Sequence, residues 1–294
     1  MSTPANAVLA MPKAPSGIQS PLRRTLRSGP VVVALVVLAI MVIMALFAPW
    51  LNTIDPIQID PTQRLKPISF AHWLGTDAYG RDVYSRVVYG ARVSLIVGLG
   101  VAAISMVAGL AIGVAAGYFR WVDAIVMRVM DGLMAIPGVL LAIALVSLSG
   151  ASLTTVLIAI TIPEVPRVVR LVRSVILSVR NEPYVEAAIS LGTPTFKLML
   201  RHLVPNTMAP LIVQGTYVFA SAILTEAILS FLGAGVPPEV ASWGNIMAEG
   251  RSYFQLIPGL VLYPGILLSL TVLSVNVLGD AMRDVLDPRM SRRL

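Results

Sequence analysis

The chain has 294 residues, of which 56% are hydrophobic and 13% are charged, and its formal net charge is +7. A soluble domain carries roughly a quarter charged residues, so these charges are too few to cover a water-soluble globule. Cysteine is absent and only two histidines occur, which excludes disulfides and thiolate sites and leaves little for a metal site. Several apolar runs reach the ~20 residues that a helix needs to cross a bilayer. The composition therefore predicts an all-α polytopic membrane protein without a bound cofactor.

The first 30 residues are rich in Pro, Ser and Ala, and their only charges are basic, at Lys13, Arg23, Arg24 and Arg27. This composition predicts a cytoplasmic tail with little order. The apolar run from Val31 to Trp50 is too long for the core of a signal peptide and predicts the first span.

Residues 51–81 form a polar loop that ends in tight-turn residues, after which Asp82 is placed to cap the next helix. That helix becomes apolar from Val93 to Tyr118 and forms the second span. Its glycines recur at every fourth position, at Gly109, Gly113 and Gly117. Such a strip lets another helix approach closely in lipid, so we interpret it as a packing face.

The third span is predicted from about Ala124 to Ser149, with a kink at Pro137-Gly138. Arg128 and Asp131 lie three residues apart in its first turns and are predicted to pair on one face. We interpret them as charges at the cytoplasmic interface, with a structural or gating role as the functional alternative.

The fourth span begins at Leu153 and contains Pro163 and Pro166. It continues into a basic stripe, at Arg167, Arg170, Arg173 and Arg180. The stripe predicts a helix that leaves the membrane with a face for anionic lipid headgroups or for an acidic partner, and lipid is the simpler interpretation.

A polar, turn-rich stretch follows, from Asn181 to Asn206. Asn181 is expected to cap a helix, and Gly192 is expected to end that helix in the left-handed conformation. A second helix is predicted to start at Thr193-Pro194 and to stop near Pro205-Asn206. Two short exposed helices at an angle have a shape that another protein can grip, although an ordinary amphipathic connector fits the same spacing.

The fifth span, from about Met208 to Leu232, contains Glu226. An intramembrane carboxylate is a functional hypothesis by default. A structural or gating role is preferred here over substrate contact, and a position within two turns of the helix end also lets the side chain reach water. The next loop holds aromatic residues typical of interfacial anchoring, at Trp243, Tyr253 and Phe254. The sixth span is predicted from about Leu256 to Gly279.

With six spans, the larger share of the 22 Lys and Arg residues falls on the side of the two termini, which predicts that both are cytoplasmic. The chain has no Gly-x4-Gly-Lys-[Ser/Thr] phosphate loop and no Gly-x-Ser-x-Gly nucleophile elbow, so it is not expected to be an enzyme. The spans lack a series of ionisable groups for a proton or sodium route, although a carrier with a backbone-lined site stays open. The pattern predicts a pore-forming subunit that is driven from an exposed cytoplasmic loop.

The run Glu186-Ala187-Ala188, with Gly192 and Pro205 in register, resembles the EAA loop of the membrane subunits of bacterial ABC importers. The pattern of that family is Glu-Ala-Ala, three residues, Gly, nine residues, Ile, one residue and Leu-Pro. His202 and Val204 stand where the pattern has Ile and Leu, and histidine is familiar in the peptide branch. Landmarks of that branch recur along the chain, at Leu74-Gly75-Thr76-Asp77, Gly80-Arg81-Asp82, Tyr89-Gly90-Ala91-Arg92, Leu229-Ser230-Phe231-Leu232-Gly233, Trp243-Gly244, Leu278-Gly279-Asp280, Arg283-Asp284 and Asp287-Pro288. The resemblance is to the second permease of the dipeptide, oligopeptide and nickel importers.

This resemblance implies a type I ABC importer permease fold with six transmembrane helices in the cell inner membrane. It implies cytoplasmic tails at 1–30 and 283–294, a permease domain at 31–282, and a coupling loop at about 181–206. The ATPase-coupling residues that it implies are Glu186, Ala187, Ala188, Gly192, His202 and Pro205. Expected partners are a second homologous permease, two ATP-binding subunits, an extracytoplasmic substrate-binding protein and membrane lipid, with no nucleic acid.

The expected substrates are di- or oligopeptides, with nickel chelates or glutathione as alternatives. A self-contained secondary transporter or channel is the alternative class of function.

Overall fold

Helices make up the regular secondary structure of residues 28–286, the part of the chain that the computed structural model describes. In chain order they are α1 Gly29–Leu46, α2 Val83–Tyr118, α3 Arg120–Ala135, α4 Gly138–Ser149, α5 Leu153–Val179, α6 Pro183–Ser190, α7 Thr195–Leu198, α8 Val204–Phe231, α9 Trp243–Gly250 and α10 Gly259–Leu286. Most of the two predicted tails, residues 1–27 and 287–294, lies outside the described residues.

Within the described residues, four helical runs are long and apolar enough to cross a membrane, namely α1, α2, the continuous run Thr195–Phe231 and α10. The pair α3–α4 adds a fifth if it counts as one broken span. Helix α5 has 27 residues, but Glu164, Arg167 and Arg170 lie so centrally that no span-length window avoids them. These elements are compatible with the predicted six spans.

Helices α3 and α4 meet at an angle of 90°. Helix α3 ends at Ala135, and Pro137 is the extended N-cap of α4, with φ −54° and ψ 124°. Proline lacks the N–H that would continue the helical hydrogen bonds, and its ring clashes with the backbone of the preceding helical turn. The predicted kink at Pro137-Gly138 is thus confirmed as a full break.

The glycine strip of α2 is a packing face, as predicted, and the helix that packs on it is α5. A Cβ added to Gly113 would lie 2.7 Å from Val172 Cβ, and one added to Gly117 would lie 2.6 Å from Ile176 Cβ. The two helices run side by side in the same direction, and Val172 and Ile176 belong to the main buried core. Side chains on these glycines would separate α2 from α5.

The chain does not break at Pro205-Asn206, so that predicted helix end is wrong. One π-helical turn, Met199–Leu203, joins α7 to α8, and Pro205 lies in the first turn of α8. A wider turn of this kind, inserted just before Pro205, changes the hydrogen-bonding pattern where proline provides no N–H. The fifth span therefore extends back to Thr195 instead of starting near Met208.

Trp243, at the start of α9, is completely buried, and its indole Nε1–H donates to the Val87 carbonyl at 3.1 Å. The prediction that it anchors the chain at the membrane interface is wrong. Its ring instead joins α9 to α2, in a cluster with Ala91, Ile223 and Ala227.

Candidate functional site

Helix α6 begins at Pro183, where the missing N–H costs nothing. Its N-cap residue is Glu182, whose side chain makes no capping hydrogen bond. The predicted cap by Asn181 is therefore wrong, and the Asn181 amide donates to the Leu177 carbonyl at 3.3 Å.

Helix α6 ends at Ser190, and Gly192, two residues later, has φ +78° as the sequence predicts. The Thr193 N–H donates to the Ala188 carbonyl at 3.1 Å, and the Gly192 N–H donates to the Ile189 carbonyl at 2.9 Å. This pair of bonds is a Schellman motif. No other atom lies within 4 Å of an added Cβ at Gly192, so the requirement for glycine comes from the backbone conformation alone.

One face of this region is anchored in the core of the bundle. Val185 and Leu203 are completely buried, while Ala188 and Leu198 retain only 8% and 1% exposure. All four belong to the same core cluster as Ile176 of α5. The α6–α7 segment is therefore packed onto the bundle and is not a loose connector.

The opposite face exposes large apolar side chains, which we call the coupling surface together with Glu186 and Ala187. They are Tyr184, Ile189, Leu191, Phe196 and Leu200, and their exposures run from 46% to 86%. Contiguous exposed apolar residues rimmed by polar ones mark a surface for a partner or a membrane.

Of the two predicted alanines, only Ala187 is on this surface, since Ala188 faces the core. The Glu186 side chain is exposed as well, and within residues 28–286 its carboxylate has no ion-pair partner. The surface therefore offers one free negative charge beside apolar groups.

His202 is half-buried where α6 meets the start of the fifth span, whereas Pro205 is exposed in the first turn of α8. The His202 ring lies 6.4 Å from the Tyr184 ring, centroid to centroid. Asn206 donates to the Tyr184 hydroxyl at 3.1 Å and to the His202 carbonyl at 2.7 Å. These contacts tie α6 to the first turns of the fifth span.

The predicted pairing of Asp131 with Arg128 is not found. Asp131 accepts from Arg170 at 2.6 Å, and Asp123 accepts from Arg173 at 2.7 Å. The basic stripe of α5 thus meets an acidic partner, but that partner is α3 of the same chain. Contact of the stripe with lipid headgroups stays a prediction, since the side chains of Arg170 and Arg173 keep 44% and 30% exposure beside these ion pairs.

Glu226 is completely buried, so the alternative in which it reaches water is wrong. One carboxylate oxygen accepts from the Ser230 hydroxyl at 2.8 Å, and the other has no hydrogen-bond partner among the described residues. Ser94 of α2 is also fully buried, and its hydroxyl has no partner among the same residues. These contacts agree with a structural role more than with substrate contact.

Sequence reasoning does not single out Glu164, a second buried acid within a span-length helix, with 6% exposure. The available signal is its position between Pro163 and Pro166 after an apolar run. Glu164 lines a cavity of about 310 Å³ at the α3–α4 break. Intramembrane carboxylates that face cavities mark substrate or ion paths.

A second polar cluster lies where the loop before α2 meets α9. Arg81 bridges Asp77 and Glu249 with N–O distances of 2.7 and 2.5 Å, and Arg86 contacts Glu249 at 3.3 Å. Burial raises the pKa of Glu249, and the charges of Arg86 and Arg81 oppose that shift. We call these four residues the α9 ion cluster.

Comparison with known proteins places the chain in a family. Residues 93–292 match the model of the binding-protein-dependent transport system inner membrane component. Residues 18–67 match the N-terminal TM domain of oligopeptide transport permease C.

The similar proteins compared below are all named as permeases for peptides or dipeptides. The chain is 53% identical to the probable peptide ABC transporter permease protein of Sinorhizobium fredii, over 85% of this chain and 86% of that one. It is 46% identical to a putative peptide transport system permease protein of Brucella suis, over 91% and 90%. It is 42% identical to the dipeptide transport system permease protein of Alkalihalophilus pseudofirmus, over 88% and 86%. The chain belongs to the family of inner membrane components of binding-protein-dependent transport systems.

Proposed function

We propose that this permease subunit of an ATP-binding cassette importer carries peptides across the inner membrane. Membership of the family makes it a transport component that works with ATP-hydrolysing and substrate-binding partners. The observation that carries the peptide proposal is the naming of relatives that match almost the whole chain. Nickel chelates and glutathione are the alternative substrates.

The proposed assembly contains a second homologous permease, two ATPase subunits and an extracytoplasmic binding protein. This chain itself is proposed to be non-catalytic. Both termini and the coupling surface are assigned to the cytoplasm, because most basic residues fall on that side. The family argues against a self-contained carrier or channel.

The coupling surface is proposed to dock into a groove of one ATPase. Its exposed apolar side chains supply contact area, and the Glu186 carboxylate is free to pair with a basic residue of the partner. Gly192 fixes the angle between α6 and α7.

The mechanical link in this proposal runs from the coupling surface to the spans. Val185 and Leu203 are buried in one cluster with residues of α2 and α5, and packed interiors transmit displacement instead of absorbing it. Closure of the ATPases would then move the spans between two arrangements, as rigid bodies.

The decisive experiment replaces Glu186 with Arg and measures both co-purification of the ATPase and uptake of a labelled dipeptide by the reconstituted transporter. We expect both to fall, while the amount of permease in the membrane stays unchanged. Glu239→Arg is the matched control, because Glu239 is an exposed acid in the loop before α9. Normal uptake in Glu186→Arg would contradict the coupling proposal.

A second measurement separates an ABC importer from a carrier. The purified chain alone should move no peptide, whereas the chain with its ATPases, second permease and binding protein should take up peptide when ATP is supplied. Uphill uptake by the chain alone would overturn the proposal.

A further inference from the structure

The cavity at the α3–α4 break is lined by charged groups of both signs. Its walls come from α3, α4, α5 and α8, and its polar lining residues are Glu164, Arg167, Ser221 and Thr225. The volume of about 310 Å³ lies at the lower end of the range for small-molecule sites. A small number of polar side chains among mostly apolar lining residues is the usual make-up of such a site.

The negative side of the cavity is the Glu164 carboxylate. It accepts from the Ser221 hydroxyl at 3.0 Å and from Arg167 at 3.3 Å. The Glu164 side chain is 8% exposed, but that of Arg167 is 56% exposed. The long contact and the exposed guanidinium make this a weak ion pair, so the carboxylate keeps capacity for another cation.

The positive side is the start of α4. Pro137 is its N-cap and makes no side-chain capping bond, so the N–H groups of the first turn have no acceptor within the helix. The N-terminus of a helix carries a partial positive charge that favours anions. Pro137, Gly138 and Val139 line the same cavity as Glu164, and the Arg167 guanidinium adds a full positive charge.

We propose that this cavity is a substrate subsite of the translocation path, in which Glu164 binds the free ammonium group of a zwitterionic peptide. The uncapped start of α4 and Arg167 bind the carboxylate of the same molecule. Discontinuous helices form substrate sites in other transporters by the same physics, since their half-helix ends are charged. This inference rests on the proposed peptide transport and adds where, and by which end groups, the peptide is held.

A purely structural Glu164 would account for its burial and for the bond to Ser221. It would not account for the uncapped start of α4 on the same cavity. It would also not account for the Arg167 guanidinium, which is 56% exposed beside a carboxylate that is 8% exposed. The combination of both charges around open volume is what a zwitterion requires.

The test uses the absence of cysteine from this chain. Thr225→Cys places a single thiol in the cavity, and the complete transporter is reconstituted and treated with a thiol reagent. The rate of modification is read from the mass of this chain alone. We expect alanyl-alanine to slow the modification, and its N-acetylated, C-amidated analogue to leave the rate unchanged.

Adding Glu164→Gln to Thr225→Cys should raise the concentration of alanyl-alanine needed for half-protection by about 10- to 100-fold, the usual worth of a charge-assisted hydrogen bond. Glu239→Gln is the matched control and should leave that concentration unchanged. Ser174→Cys, on α5 outside the cavity lining, should show no protection at all. Leu133→Cys gives a second reporter on the α3 wall in case Thr225→Cys does not assemble.

Equal protection by the capped analogue would overturn the inference, and so would an unchanged half-protection concentration in the Glu164→Gln variant. Uptake of alanyl-alanine by the unmodified transporter is measured in parallel. If uptake occurs without protection at Thr225→Cys or Leu133→Cys, the subsite is wrong while peptide transport stands. If no peptide is taken up with the full set of partners, both proposals fail.

Discussion

The α9 ion cluster buries charged side chains, whereas the coupling surface exposes apolar ones. In the cluster, Arg81 and Arg86 are almost completely buried, and the carboxylates of Asp77 and Glu249 face them. On the coupling surface, Leu191 is 86% exposed and Phe196 is 74% exposed, and the Glu186 carboxylate has no ion-pair partner within residues 28–286. The charged groups of the ion cluster pair within the chain, whereas the apolar groups of the coupling surface are open to a partner.

The difference teaches what each region is for. Burying ion pairs brings little net stability, because desolvation offsets the attraction, but it fixes how the loop before α2 sits on α9. Exposed apolar side chains add no stability through burial within this chain, and they contribute to binding when a partner covers them. Substitutions in the first region should therefore change stability, and those in the second should change assembly.

The largest effect on stability is expected from Trp243→Ala, on the same helix as Glu249 of the ion cluster. The indole is completely buried and bonded to the Val87 carbonyl, and removing such a side chain costs about 3–5 kcal/mol. Thermal unfolding of the purified protein in detergent should occur at a clearly lower temperature.

Trp121→Ala is the matched control, because Trp121 is 70% exposed on α3. Its cost should stay within about 0.5 kcal/mol. Equal unfolding temperatures for the two variants would contradict the buried position of Trp243.

On the coupling surface, Phe196→Asp should leave the unfolding temperature unchanged and weaken the ATPase interaction. An aromatic anchor at the centre of an interface is worth about 2 kcal/mol or more, which corresponds to roughly 30-fold in affinity. The loss of affinity is measured as binding of the purified ATPase to the detergent-solubilised permease. Phe70→Asp is the control, since Phe70 is fully exposed in the loop before α2. A lowered unfolding temperature in Phe196→Asp would remove the contrast between the regions.

Sequence periodicity and punctuation predicted the helices well. Pro137 predicted a break, the glycines of α2 predicted a packing face, and Gly192 predicted a helix end. Each acts locally, because proline lacks an N–H, and glycine lacks a Cβ and so permits close approach and positive φ. The Glu-Ala-Ala run directed attention to α6 by resemblance, and its role in coupling to an ATPase stays a prediction. What the sequence could not give was which of its two alanines would face the core.

The wrong helix end at Pro205 and the wrong cap at Asn181 are local errors. Several others share a different cause, which is that long-range partners decide the role of a polar or aromatic side chain. Arg170 and Arg173 pair with acids about 40 to 50 residues away, and the spacing along one helix predicts no such contact. Trp243 and Glu226 are buried by helices distant in the sequence. Glu164 becomes notable only when the break in another span opens a cavity beside it.

A smaller effect is expected from Glu249→Gln in the ion cluster. The change removes the charge that faces Arg81 and Arg86, and a buried guanidinium without a full counter-charge costs about 1–3 kcal/mol. The unfolding temperature should fall, and the ATPase should bind as before. Glu239→Gln, at an exposed acid, should change neither. Loss of ATPase binding in Glu249→Gln would mean that the two regions are not independent.

The smallest effect should come from Gly192, where conformation and bulk can be separated. Val at this position must adopt φ +78° and should cost roughly 1–2 kcal/mol, whereas Asn tolerates the left-handed region and should cost less. The space around the position is open within this chain, so any loss beyond the backbone strain reports on a partner. Peptide uptake by the reconstituted transporter should fall more in Gly192→Val than in Gly192→Asn. If the two variants lose uptake equally, the glycine serves close approach of the ATPase and not the angle between α6 and α7.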